Sequence, residues 1–250
     1  MTTQAITKND MIGILGLSIS NAELEDFNSI SLMVQNEVTR HILGDELYNA
    51  FTTDFDAGSG TPTEQKWIDF LDGVTWTEIV NESDSTQDVI HNSDGINESW
   101  KYFVYYEWLN QAPFVSNFIG KSTHNTTNST PLDRQSLNIE TQNRYNRGTR
   151  VYSNVLDWLC YYEDYKVDYT SIVEVAGTYT VTLSDTTYLK NGDEINLDGV
   201  RYTVANLVAD TSFEFTAATG LSFSNDYVTW YPFENVALGK KEPIYFNGML

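Results

Sequence analysis

Apolar residues recur at three- and four-residue steps through Leu24, Phe27, Ile30, Val34, Val38 and Ile42, which predicts an amphipathic helix of about five turns. Before it, Thr7 and Asp10 have the spacing of a capping box for a short helix through Leu15, with Gly16 as its stop and a turn over 16–20. Ser20 or Asn21 is placed to cap the long helix. Glu23, Glu25 and Asp26 follow where carboxylates complement the helix dipole. Gly44 breaks the pattern, and residues 46–51 resume it for a turn or two. Residues 54–63 are expected as a loop, with Thr63 capping a helix that carries Trp67, Phe70 and Leu71. The polar stretch 72–95 leaves room for a hairpin around Val74-Thr75-Trp76 and Val89-Ile90.

A second helical block starts near Ile96. Trp100, Phe103, Val104, Trp108 and Leu109, flanked by Tyr102, Tyr105 and Tyr106, nearly encircle this helix, so it is expected to be covered on several sides. Contact with another subunit is the preferred explanation, against a plain core. Residues 120–131 are a polar loop. From 132 to about 165 a proline-free helix is expected, with one face traced by Leu137, Thr141, Tyr145, Gly148, Tyr152, Val155, Leu159 and Tyr162. The small residues at 141 and 148 suit close helix packing.

Beyond Asp168 the period changes to two. Residues 172–175, 179–183, 194–197, 200–204 and 212–215 predict short strands, and Asp198-Gly199 is a two-residue hairpin signal. That pattern predicts a small barrel or sandwich. The chain is therefore expected to be α+β: a helical domain over 1–167, a β domain over 168–235 and an extended tail over 236–250. The tail carries Tyr245 and Phe246 and is read as a strand that docks on another subunit.

The net charge is −21, and its distribution matters more than its sum. Residues 1–100 hold 18 acids against 3 bases, 101–166 hold 6 against 7, and 167–239 hold 10 against 2. Binding of duplex DNA by the surface as a whole is excluded, since phosphate neutralisation needs dense Lys and Arg. An acidic wall fits both plain solubility and a conduit past which DNA slides without adhering. Arg144, Arg147 and Arg150 fall at three-residue steps, with Arg134 further back. This basic cluster has three readings: a solvated or salt-bridged face, pairing with the acidic N-terminal half of another subunit, or phosphate contact in a channel.

No spacing points to catalysis, a cofactor or a metal. Asp54 and Asp56 lack the remaining positions of a calcium loop. Gly120-Lys121-Ser122 lacks the first glycine of a phosphate loop and no strand precedes it. His41, His91 and His124 are isolated in sequence, and Cys160 is expected as a core thiol on a buried helix face. No signal peptide or membrane span is expected. The sequons at Asn81, Asn97, Asn125 and Asn128 are therefore read as chance.

The series Ile6-Thr7-Lys8, Ile14-Leu15-Gly16-Leu17, Glu23-Leu24, Ile30, Val34, Val38 and Ile42-Leu43-Gly44 resembles the head–tail connector (adaptor) family of tailed phages. There a short helix and a Leu-Gly turn precede a long helix that ends near glycine. The Tyr-rich helix at 100–109 and the Arg-bearing helix at 133–165 are similar to later helices of such adaptors, so the resemblance covers about 5–53 and 96–166. The run from Leu189 through Gly192-Asp193, Ile195, Leu197 and Gly199-Val200 to Tyr202 and Val204 resembles small β-barrel modules of phage structural proteins. The β domain departs from the minimal adaptor.

The resemblance implies a structural virion protein, made in the host cytoplasm, that forms a ring of twelve subunits beneath the portal protein. Such a ring extends the DNA channel and docks further neck or tail proteins, with no catalysis, cofactor or membrane. Its interface candidates here are Trp100, Trp108, Arg134, Arg144, Arg147, Arg150, Tyr245 and Phe246. The alternative class is a phage or surface module that binds carbohydrate through Trp76, Tyr227, Trp230 or Tyr231.

Overall fold

The computed structural model describes residues 1–15, 19, 23–78, 88–115, 134–161 and 165–233, with the backbone alone for 12–15, 111–115 and 134–138. The expected turn at 16–20, the caps at Ser20 and Asn21, the loop 120–131 and the tail with Tyr245 and Phe246 lie outside them. The chain is mixed α+β and forms two compact units, one ending at Trp158 and one beginning at Leu159.

The first unit holds α1 (Lys8–Leu15), α2 (Leu24–Ala57), α3 (Gln65–Asp72), the hairpin β1 (Val74–Glu78) with β2 (Val89–Ser93), α4 (Gly95–Val115) and most of α5 (Arg134–Tyr161). Asp10 reaches back to the Thr7 N–H at 2.8 Å, which is half of the expected capping box. Phe27, Ile30, Val34, Val38 and Ile42 are buried as their period requires. Gly44 interrupts α2 at φ 73°, ψ 174°, a backbone region open essentially to glycine alone. The helix then continues to Ala57, past the expected loop start at 54. Asp54 accounts for the difference. Its carboxylate accepts the amides of Thr63 and Glu64 at 2.8 and 3.0 Å, so this helical residue anchors the start of α3. Thr63 is accordingly not the cap; Glu64 holds that position.

At the base of the β1–β2 hairpin, Gly73 and Gly95 pass backbone to backbone. A Cβ on Gly73 would sit 2.2 Å from the Ser93 carbonyl oxygen, and one on Gly95 would sit 2.4 Å from that of Leu71. The chain can leave α3, run out along the hairpin and return into α4 only because both lack side chains.

α4 is the axis of this unit. Every residue from Tyr102 to Leu109 is buried. Phe27 and Phe55 of α2 meet Trp108 and Trp100 edge-on at 5.6 and 6.3 Å. Tyr145 of α5 lies 5.6 Å from Phe103 and 5.0 Å from Tyr106. Gly148 brings α5 onto α4: the Ser99 hydroxyl donates to its carbonyl at 3.0 Å, and a Cβ there would lie 3.0 Å from the Tyr102 Cβ. Close packing at Thr141 and Gly148 thus matches the sequence, and both are buried.

Residues 1–6 are fastened along α2 by polar side chains that a hydropathy pattern does not flag. Buried Gln35 accepts the amides of Ala5 and Ile6 at 3.2 and 3.0 Å, and Ser31 donates to the Ile6 carbonyl at 3.0 Å. Asp56 accepts the amides of Thr2 and Thr3 at 2.9 and 2.8 Å. Partial burial acts to raise the Asp56 carboxyl, but the hydrogen bonds from Thr3 and Thr2 outweigh it and hold the group below the ordinary 3.8.

The second unit is a seven-stranded antiparallel sheet, order β6-β5-β9-β3-β4-β8-β7, curled into a nearly closed barrel. Its strands are β3 (Tyr165–Val175), β4 (Thr178–Leu183), β5 (Glu194–Leu197), β6 (Val200–Thr203), β7 (Ala205–Val208), β8 (Ser212–Thr216) and β9 (Tyr227–Trp230). β3 pairs with β9 through 165–168 and with β4 through 169–175, so one long strand turns the corner of the barrel. Across the seam, the ring of Tyr202 on β6 lies 4.4 Å from Phe215 on β8. Tyr179, Val181, Ile195, Leu197, Phe213, Val228 and Trp230 fill the interior. Asp198 and Gly199, at φ 52° and 82°, make the expected two-residue turn between Leu197 and Val200. Three differences stand out. Tyr165 belongs to a strand rather than to the preceding helix, β3 starts well before 172, and β7 and β9 carry no expectation.

Two outcomes test this packing. Gly148→Val should lose about 1–3 kcal/mol in a denaturant titration, because the added methyls press on Tyr102 and Phe103. Because the Asp56 carboxyl is depressed, its contribution is full above 3.8 and disappears as pH falls through the lowered value. In an NMR pH titration the Thr2 and Thr3 amide signals should therefore move with a midpoint below 3.8, and Asp56→Asn should abolish that step.

Candidate interaction surface

α5 turns Thr141, Tyr145, Gly148, Val151 and Tyr152 inward, so the helical period forces Asn143, Asn146, Arg147 and Arg150 outward. The guanidinium of Arg147 lies over the Tyr102 ring at 5.3 Å, and that of Arg144 over Tyr105 at 5.8 Å. Arg144 also pairs with Glu140 at 3.6 Å. Tyr105 donates to the same carboxylate at 3.3 Å. Burial and then the neighbouring Glu140 charge push the Tyr105 phenol up to about 12, against the opposing pull of Arg144. Burial and then Glu98 also raise Tyr102, with Arg147 opposing. Both phenols stay neutral at physiological pH and serve as platforms for the two guanidinium groups.

Arg147 and Arg150 are exposed, and no ion pair engages either among the described residues. Arg134 opens α5, with its side chain outside the described residues. A groove of about 430 Å³ runs beside the basic row, lined by Ile139, Glu140, Asn143, Arg144 and Arg147. Ile139 is 56% exposed at one end of it. A second cleft, about 590 Å³, lies at the hairpin base between Asp72, Asp94, Glu98 and Arg147.

The opposite charge sits on α2. Glu25, Ser29, Met33 and Glu37 occupy one outward row at four-residue steps. No ion pair engages Glu25, Asp26 or Glu37 among the described residues. Beside this row another groove, about 490 Å³, is lined by Thr2, Gln4, Leu24, Glu25, Asn28, Ser29 and Leu32.

Several sequence expectations are corrected by burial. Trp100 and Trp108 are 0% and 4% exposed, packed against Phe55 and Phe27 of α2 in their own chain, so their rings form core and not a subunit contact. Cys160 is half-buried rather than a core thiol. Trp76 and Trp230 are 7% and 2% exposed. Trp76 stacks on His91 at 5.1 Å, and the Trp230 indole N–H donates to the Thr187 carbonyl at 3.0 Å. Neither ring is open to stack on a sugar; Tyr227 and Tyr231 are half-buried.

The remaining chemistry is occupied locally. His41 Nδ1 lies 2.7 Å from the Tyr152 hydroxyl, and His91 Nε2 lies 2.8 Å from Glu78. Asp54 and Asp56, the hinted calcium ligands, hold backbone amides. Among the described residues no group of three or more His, Cys, Asp or Glu side chains could hold a metal ion, and no helix is long and apolar enough to cross a membrane.

Compared with known proteins, the chain matches no protein-family model, no curated protein and no solved structure.

If Arg147 and Arg150 are held for a partner and not for the fold, their loss should change stability little. Arg150→Ala should stay within about 0.5 kcal/mol of the parent, and Arg147→Ala should lose no more than about 1 kcal/mol of ring stacking, read by denaturant unfolding.

Proposed function

We propose that this chain is a structural component of a tailed-phage virion, a head–tail connector (adaptor) that assembles as a ring beneath the portal and extends the DNA channel. The observation that carries the reading is the outer surface of the helical unit. It presents an acidic row on α2 and a basic row on α5 over a buried core, and among the described residues no ion pair engages Glu25, Glu37, Arg147 or Arg150. A body with two complementary but separate faces is suited to head-to-tail repetition, which closes into a ring when the rotation between copies allows it. The order of elements supports the same reading. A short helix, a long helix, an aromatic helix and an Arg-bearing helix occur in the order the connector resemblance implies, although the long helix continues past Gly44 to Ala57 and α3 with the β1–β2 hairpin is inserted before the aromatic helix.

In this role the work is mechanical and electrostatic. Many weak repeated contacts add up once a portal template gathers the copies. The acidic excess keeps passing DNA from adhering to the wall. The barrel offers a surface for neck or tail proteins. Carbohydrate recognition, the other class considered, has less support because Trp76 and Trp230 are buried.

The test is negative-stain imaging of the full-length chain over a wide concentration range, with and without a portal ring as template. Closed rings with a central hole that admits duplex DNA are expected. Monomers under both conditions would overturn the reading.

A further inference from the structure

We propose that copies of this chain join by antiparallel docking of two helix rows, Glu25-Ser29-Met33 of α2 on one copy against Ile139-Asn143-Arg147 of α5 on the next. The inference rests on the ring reading above and names the interface that builds the ring.

Both rows are i, i+4 ridges, and all six side chains are exposed. Ridges of this kind interdigitate with the grooves of a like helix in the commonest mode of helix packing. Here each row borders a groove, one lined by Glu25 and Ser29, the other by Ile139, Asn143 and Arg147. Each row has one apolar end and one charged end. Met33 is 38% exposed and Ile139 is 56% exposed, and both are large side chains left to water.

The spacing selects one orientation. Glu25 and Met33 are eight residues apart, as are Ile139 and Arg147, about 12 Å along a helix. Antiparallel alignment sets Met33 on Ile139, Ser29 on Asn143 and Glu25 on Arg147, with Asp26 beside the same guanidinium. Parallel alignment sets Glu25 on Ile139 and Met33 on Arg147, which buries both charges against apolar groups.

The occupant follows from charge. The two rows belong to one compact unit, yet among the described residues no ion pair joins them. The acidic row needs a basic row with an apolar residue at the matching distance, and a second copy supplies it. Duplex DNA answers the arginines but leaves Ile139 and the acidic row unpaired.

The test uses the full chain in a Cys160→Ser background, so that the half-buried native thiol takes no part. One preparation carries Met33→Cys and the other Ile139→Cys. Mixed and oxidised, they should give a covalent heterodimer at least tenfold above either preparation alone, because an intrachain bond is impossible in this design. In parallel, Arg147→Glu should reduce assembly at least tenfold, and Glu25→Arg in the same chain should restore it. Rings that persist in Arg147→Glu, without the heterodimer, would overturn this interface and leave the ring reading intact. An Arg147→Glu variant that assembles normally but loses retention on duplex DNA would assign the surface to phosphate instead. A parent chain that never assembles, even on a portal, would overturn both.

Discussion

The helical unit depends on one constraint: α4 must be enclosed. A run of eight consecutive buried residues, with three tyrosines and a tryptophan among them, cannot be satisfied by one neighbouring helix. Fully burying a large apolar side chain contributes about 1.5–3 kcal/mol, so leaving even one flank of α4 open would forfeit several such contributions. α2 and α3 cover one side, and α5 covers another through Gly148. The breaks elsewhere follow from this requirement. Gly44 lets α2 change course, and Gly73 with Gly95 lets the chain double back and deliver α4 from the end of α3.

Enclosure of α4 also settles where the charge goes. Tyr102 and Tyr105 reach the edge of the core, and Arg147 and Arg144 close over their rings. A guanidinium held over an aromatic face can still present N–H edges, in its own plane, to a carboxylate or phosphate, as Arg144 does to Glu140. The stacking therefore pre-orders the arginines, which lowers the entropy lost when a partner engages them. The core and the outer face are two sides of the same packing.

Much of this was legible in the sequence, and the failures share a cause. Helical periodicity identifies the buried face of α2 because Phe27, Val34 and Val38 are apolar and regularly spaced. It misses Ser31 and Gln35, which are equally buried, because their role is to satisfy the backbone of a segment that is distant in sequence; buried Thr39 instead bonds back to the Gln35 carbonyl one turn earlier. The full course of α2 to Ala57 was hidden for the same reason, since Asp54 looks like a loop residue until its amide partners are known. In the barrel, Asp198-Gly199 announces its turn through local chemistry, whereas β9 owes its existence to pairing with β3 and β5. Trp100 and Trp108 show the limit for the interface. An apolar belt in sequence cannot say whether its cover comes from the same chain or from another, and here Phe27 and Phe55 of α2 lie against the two rings. The basic cluster was visible as residues. Its matching acidic row was visible only as net charge, because no spacing in sequence tells which carboxylates share an outer face.

In the proposed assembly, both docking rows belong to one compact unit. If the faces pointed in opposite directions along a line, repetition would give an open filament; a ring forms only where the angle between them divides the full turn without a rise along the axis. The contact proposed above would be small and partly electrostatic, and so weakened by salt and by dilution. Such an interface disfavours assembly of free copies and permits it where copies are concentrated on a template, since each added copy gains two contacts at closure and only one in an open chain. In the proposed ring the strong acidic excess of residues 1–100 would work in the same direction, repelling free copies until the arginines of α5 neutralise it locally. Weak, oriented and charge-matched contacts are thus better suited than a large apolar interface to a ring that must form in one place and not elsewhere.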